Sequence, residues 1–144
     1  MNNVEEFYLD NGLRVFLKED KFSPVSSIFV WVNTGSAYEN DFERGLAHVH
    51  EHMIFKGAPN RGPGQLADTI ESLGGRINAY TSYEYTVYHA TLSSRHWQTA
   101  LDVLADAILN STFDTEELER EKKVVLEELS MRNDRPTTQL FQEM

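Results

Sequence analysis

The segment His48-Val49-His50-Glu51-His52 constrains this chain more than any other, because its side chains converge once it is wound as a helix. At about 100° per residue, His52 lies roughly 40° from His48 and one turn above it, and Glu51 lies roughly 60° to the other side. One helical face thus presents two imidazoles and a carboxylate. Leu46, Val49, Met53 and Ile54 fall on the opposite face, so the helix is expected to lean on a hydrophobic core. His50 lies roughly 200° from His48, among those apolar residues, and is read as a packed or supporting histidine. The chain has no cysteine, so a metal here must be held by His and carboxylate side chains. Two neutral imidazoles can hold a divalent ion and leave Glu51 beside it as a base for bound water.

The surrounding pattern supplies the layers such a helix needs. Val4 to Leu9 and Leu13 to Lys18 flank Asp10-Asn11-Gly12 and read as a hairpin. Val25 to Val32 is nearly continuous in Val, Ile, Phe and Trp and is expected to be a strand covered on both faces. The helix with the histidines is predicted from Gly45 to Lys56, closed by Gly57. A short helix is predicted over Gln65 to Leu73, ended by Gly74-Gly75, then a second hairpin from Arg76 to Ser82 and Tyr85 to Leu92. A longer helix follows over Arg95 to Leu109, with Trp97, Leu101, Leu104, Ala105 and Ile108 at helical spacing. Another starts at Asp114, with Glu117 three residues on, and runs to about Asn133 before Asp134-Arg135-Pro136. Two hairpins interleaved with helices argue an α+β domain, a mostly antiparallel sheet with helices packed on one side.

A catalytic metal of this type usually takes three protein ligands and one water, so a third ligand is needed. The helix from Asp114 offers Glu116, Glu117, Glu119, Glu121, Glu127 and Glu128, with Leu118, Val125 and Leu129 as its apolar stripe. Measured from Glu128, Glu121 is about 20° round, Val125 about 60°, Leu129 about 100°, and Glu127 about 100° the other way. Glu128 and Glu121 border the stripe while Glu127 points away. The remaining glutamates read as a solvated face, and Glu128 is the expected ligand.

The run from Gly45 to Gly57, Gly-Leu-Ala-His-Val-His-Glu-His-Met-Ile-Phe-Lys-Gly, closely resembles the motif segment of the pitrilysin/insulinase family of zinc peptidases, which includes the mitochondrial processing peptidase. The resemblance continues through Gly74 to Thr81, Tyr85 to Tyr88 and Glu121 to Glu128. It implies a processing-peptidase-like metallohydrolase domain with one zinc ion per chain on His48, His52 and Glu128. Glu51 would be the general base, and Glu121 would match an acidic residue near the metal that takes part in catalysis. It further implies that Asn78, Ala79, Tyr80 and Thr81 lie on an edge strand to which an extended substrate adds through main-chain hydrogen bonds. His50 stands where the family usually has an apolar residue. Family subunits also continue into a second, similar domain. Residues 1–144 are therefore expected to be an amino-terminal catalytic portion without that second domain, and completion by it or by a homo- or hetero-oligomeric partner is part of the expectation. The lyases that share the motif use a cysteine as third ligand, which this chain lacks.

The formal charge of −10 repels polyphosphate, which excludes nucleic acid as a natural partner, and it would favour basic substrates. No stretch is long and apolar enough to span a membrane. Met1 to Asp10 has no basic-then-apolar leader, which leaves the cytoplasm as default and the periplasm open if a signal has been removed. The expected activity is zinc-dependent endopeptidase cleavage of extended or unfolded polypeptides. The alternative is a non-catalytic or incomplete peptide-binding subunit that needs a partner or a second domain.

Overall fold

The protein is described by a computed structural model over residues 4–133. The sequence also reads as opening a further helix over Thr137 to Met144; that segment and the Asp134-Arg135-Pro136 break lie outside the described residues.

Strands β1 (Val4–Tyr8) and β2 (Arg14–Lys18) pair antiparallel, Val4 opposite Lys18 and Tyr8 opposite Arg14. Gly12 makes the reversal possible with φ +85°, a conformation that other residues adopt at a cost. Asn11 Oδ1 accepts the Leu13 amide and locks the turn. This ribbon is a sheet of its own, with nearly every side chain exposed.

The second sheet contains β3 (Val25–Val32), β4 (Arg76–Thr81) and β5 (Thr86–Ser93) in the order β3-β5-β4, all antiparallel. The central strand β5 carries Tyr88, Ala90 and Leu92 into the core. Helices α2 (Gln65–Glu71) and α3 (Trp97–Asn110) cover that face, with Leu66, Ile70, Ala100, Val103, Leu104 and Ala107 buried against it. One-sided covering has a consequence for β3. It was expected to be covered on both faces, but it alternates half-buried and exposed: Ile28, Val30 and Val32 face the helices, and Phe29 and Trp31 face outward. There Phe29 stacks on His89 at 5.3 Å and Trp31 tilts against Tyr85 at 5.0 Å, so the aromatics partly cover one another.

The buried side of α3 also differs from the expected stripe. Leu104 is buried and Ile108 packs on the core, but Trp97, Leu101 and Ala105 face solvent, and Ala100, Val103 and Ala107 are buried in their place. The two alanines let the helix lie close to β5, where bulkier side chains would hold it off.

Helix α1 (Leu46–Met53) carries the motif, and α4 (Thr115–Asn133) packs across it. α1 is a turn shorter than expected. Lys56 N–H turns back onto the Met53 carbonyl at 3.0 Å, and Gly57 leaves helical space at φ +149° because its carbonyl is taken by the Thr112 amide at 3.1 Å. Met53 and Ile54 are buried as expected, whereas Leu46 is exposed. α4 starts as read: Asp114 Oδ1 accepts the Glu116 and Glu117 amides at 2.9 and 3.1 Å. Among the described residues no helix is long and apolar enough to cross a membrane.

Candidate metal centre

Helix α1 begins at Gly45, in left-handed backbone at φ +90°, and has no capping side chain of its own at that position. The cap comes from a distance. Glu39 Oε2 accepts the Gly45 amide at 2.8 Å and Oε1 the Ala47 amide at 2.7 Å, so a carboxylate neutralises the positive end of the helix that carries the histidines. Sequence reasoning missed Glu39, because its separation from the helix follows no capping pattern.

His48 and His52 turn their Nε2 atoms toward each other at 3.2 Å. Glu128 Oε2 from α4 completes the triangle, 3.4 Å from His48 Nε2 and 3.5 Å from His52 Nε2. Among the described residues these three form the one group of His, Asp or Glu side chains whose ligating atoms cluster this closely. Glu121 Oε2 accepts from His52 Nδ1 at 3.0 Å, and a carboxylate can only accept, so the His52 proton is on Nδ1 and its Nε2 lone pair faces inward. Two imidazole nitrogens and a carboxylate oxygen gathered this closely are a donor set suited to a divalent cation. A tetrahedral zinc with bonds of about 2.0 to 2.2 Å would set its ligands roughly 3.3 to 3.5 Å apart. The separations of 3.4 and 3.5 Å fall in that range and the 3.2 Å one lies just below it.

Glu121 is nearly buried, deeper than the border position expected for it, and it stands behind His52 rather than in the triangle. What it can do is done through His52. Burial alone would raise its carboxyl, but hydrogen bonds from Lys56 and His52, with the Lys56 charge, outweigh that and hold it below the ordinary carboxylate value. Lys56 Nζ is 2.5 Å from Glu121 Oε1. Lys56 was not singled out from the sequence, although it is four residues after His52, the spacing of side chains that meet on a helix.

Glu51 lies on the other side of His48. Its Oε2 accepts the Thr81 hydroxyl at 2.5 Å, which ties α1 to the end of β4 and leaves Oε1 without a hydrogen bond among the described residues. Thr86 Oγ1, 3.5 Å from Thr81 Oγ1, donates to the Thr34 carbonyl at 2.8 Å. β4 is an edge strand, and Asn78 Oδ1 accepts the Ala79 amide at 2.9 Å. A cavity of about 300 Å³ beside the site is lined by His48, Glu51, Tyr80, Thr81, Ser82 and Leu129, so Leu129 faces the cleft rather than a buried stripe. Asn78 and Ala79 lie further along β4, outside that lining.

His50 is not part of the triangle. Its Nδ1 is 3.1 Å from the Tyr88 hydroxyl and its ring lies against Phe113, centroids 5.2 Å apart. Partial burial lowers its pKa. Burial first and the Glu51 charge second push the Tyr88 phenol up to about 12, so it stays protonated beside His50.

The pattern of the family described as Insulinase (Peptidase family M16) matches residues 14–144. The chain belongs to this family. It is 41% identical over 133 residues to the uncharacterized zinc protease YmxG of Bacillus subtilis (strain 168), covering 92% of this chain and 32% of that protein. It is 45% identical over 121 residues to the mitochondrial-processing peptidase subunit beta of Bos taurus, covering 84% of this chain and 24% of that protein. The solved structure of a protease from Helicobacter pylori superposes with a TM-score of 0.92 at 28% identity, over 97% of this chain and 34% of that one. The insulinase-family chain thus spans about a third or less of these relatives' length.

Proposed function

We propose that this chain carries the metal centre of a zinc-dependent endopeptidase acting on extended polypeptides. The observation that carries the reading is the triangle of His48 Nε2, His52 Nε2 and Glu128 Oε2, sized for a tetrahedral ion, with a Glu51 oxygen unengaged and a strand edge unpaired among the described residues beside it. A zinc ion held by these three residues would lower the pKa of a water and polarise the scissile carbonyl.

The chain's own residues would do the rest. Glu51 takes the proton from the attacking water on Oε1, while Thr81 holds Oε2 and fixes the carboxylate plane. The same carboxyl then delivers that proton to the departing amine. A substrate strand lying along β4 presents its scissile bond at the Thr81 end, because the strand runs from Arg76 toward the residue that touches Glu51. Asn78, Ala79, Tyr80 and Thr81 supply that edge. The Asn78 oxygen on the Ala79 amide must give way where the substrate bonds.

Zinc per chain, measured after gel filtration in chelator-free buffer on the parent and on Glu128→Gln, tests the site. About one zinc in the parent and much less in the variant is expected. Glu51→Gln should keep the metal and lose about 10²-fold or more in cleavage rate, as removal of a general base does. Full cleavage by a zinc-loaded Glu51→Gln protein would refute the mechanism. A second reading, a peptide-binding portion that becomes active with further sequence or a partner chain, is favoured by the third or less of the relatives' length that the chain spans. Zinc binding without cleavage, and cleavage restored by added flanking sequence, would select it.

A further inference from the structure

The Glu121 carboxylate is gripped at both oxygens. Oε2 accepts from His52 Nδ1 at 3.0 Å, and Oε1 accepts from Lys56 Nζ at 2.5 Å. The terminal torsion of a glutamate is broad, so one hydrogen bond leaves the carboxylate plane free to swing, and two on different oxygens fix it. Lys56 is in turn held from behind. Its own amide closes the turn on Met53, and the neighbouring Gly57 carbonyl accepts from both the amide and the hydroxyl of Thr112. Arg61, at the far end of the same loop, is clamped by Asp102 at 2.6 Å and by Asp106, both on α3. Lys56 thus emerges from a turn that is anchored by backbone hydrogen bonds to Met53 and Thr112.

We infer that Lys56 is a positioning residue for the metal centre: its ammonium fixes the Glu121 carboxylate, which aims His52 Nε2 at His48 and Glu128. The inference rests on reading the triangle as a zinc site. Two effects of Lys56 on a bound cation have opposite signs. Its charge repels the ion, but Lys56 is partly exposed and solvent screens that repulsion. Its hydrogen bond sets the orientation of a ligand directly, and losing such outer partners costs about 10 to 100-fold in metal affinity. Orientation wins, so removing Lys56 weakens binding.

The test is a chelator-competition titration of zinc on the parent, Lys56→Met, Lys56→Gln, Lys56→Arg, Glu121→Gln and the Lys56→Met/Glu121→Gln double variant. Lys56→Met should bind zinc roughly tenfold more weakly, Lys56→Gln should fall between it and the parent, and Lys56→Arg should stay within about threefold. Because Lys56 acts through Glu121, Lys56→Met should add nothing in the Glu121→Gln background. Unchanged or tighter binding by Lys56→Met and Lys56→Gln, or an undiminished loss in the double variant, would overturn the inference. A parent that binds no zinc would refute the metal reading instead. The His52 Nδ1–H signal in imidazole nitrogen spectra of the metal-free protein then decides on Lys56. It should be protected in the parent and exchange-broadened in Lys56→Gln, and equal protection in both would overturn the inference.

Discussion

Replacing Glu39 with alanine should destabilise the protein by about 2 kcal/mol, a large effect for a residue outside every helix and strand. Its carboxylate accepts two backbone amides, at 2.8 and 2.7 Å, at the start of an eight-residue helix whose N-cap glycine has no side chain to do so. Hydrogen bonds to a charged group contribute about 1.5 to 3 kcal/mol each when both partners are withdrawn from water. Glu39 and Gly45 are only half-buried and border the cleft, so the freed amides regain water, and the two values do not sum. A value of about 2 kcal/mol for the pair lies in the lower half of that range and at the upper end for loss of a helix cap. Glu39→Gln keeps one acceptor and should lose about half as much. The assay is urea unfolding of the metal-free protein. With a slope of about 1 to 3 kcal/mol/M, the midpoint of Glu39→Ala should fall by roughly 0.7 to 2 M. A fall below about 0.3 M, or equal effects of Ala and Gln, would refute the claim that this carboxylate caps α1.

Gly75→Ala should destabilise by about 1 to 3 kcal/mol in the same assay. The new methyl would lie 2.7 Å from Leu92 Cβ, 2.8 Å from Ile70 Cγ2 and 2.9 Å from the Thr91 carbonyl, which outweighs the gain of about 0.4 to 1 kcal/mol from a stiffer unfolded chain. Tyr88 is buried and its phenol is raised to about 12, so between pH 10 and 12 the unfolded chain has lost a proton that the fold still holds, and stability falls as pH rises. Tyr88→Phe should remove about 2 to 3 kcal/mol of that alkaline decline, read from unfolding midpoints at the two pH values. Zinc should raise the thermal midpoint of the parent by mass action and leave that of Glu128→Gln nearly unmoved. Equal shifts would remove Glu128 from the site.

Much of the molecule was legible because its determinants are local. The turn at Asn11-Gly12, the Asp114 cap and the helical face of His48, Glu51 and His52 depend on residues within a few positions of one another. Helical angles also narrowed the core-bordering glutamates of α4 to Glu121 and Glu128, and the fold carries Glu128 to the two histidines. The errors arose where a pattern had to be matched to a surface it does not contain. Leu101 and Ala105 keep helical spacing with Leu104, yet α3 is rotated so that Ala100, Val103 and Ala107 meet β5, since close approach to a flat strand favours small side chains. The apolar run of β3 was read as covered on both faces, but periodicity cannot say how many layers a sheet acquires.

The sequence by itself determined which residues share a face and which chemistry a metal would meet there: two imidazoles, a base and, lacking cysteine, a carboxylate as the further ligand. Only the tertiary structure decided how the glutamates divide, with Glu128 among the histidines and Glu121 behind one of them beside Lys56. It also decided that Glu39 caps the helix and that Thr81 holds Glu51. The reason is physical. Backbone geometry repeats every few residues and can be read from spacing, whereas a contact between His52 and Glu121 depends on how α4 crosses α1, which the whole core sets at once.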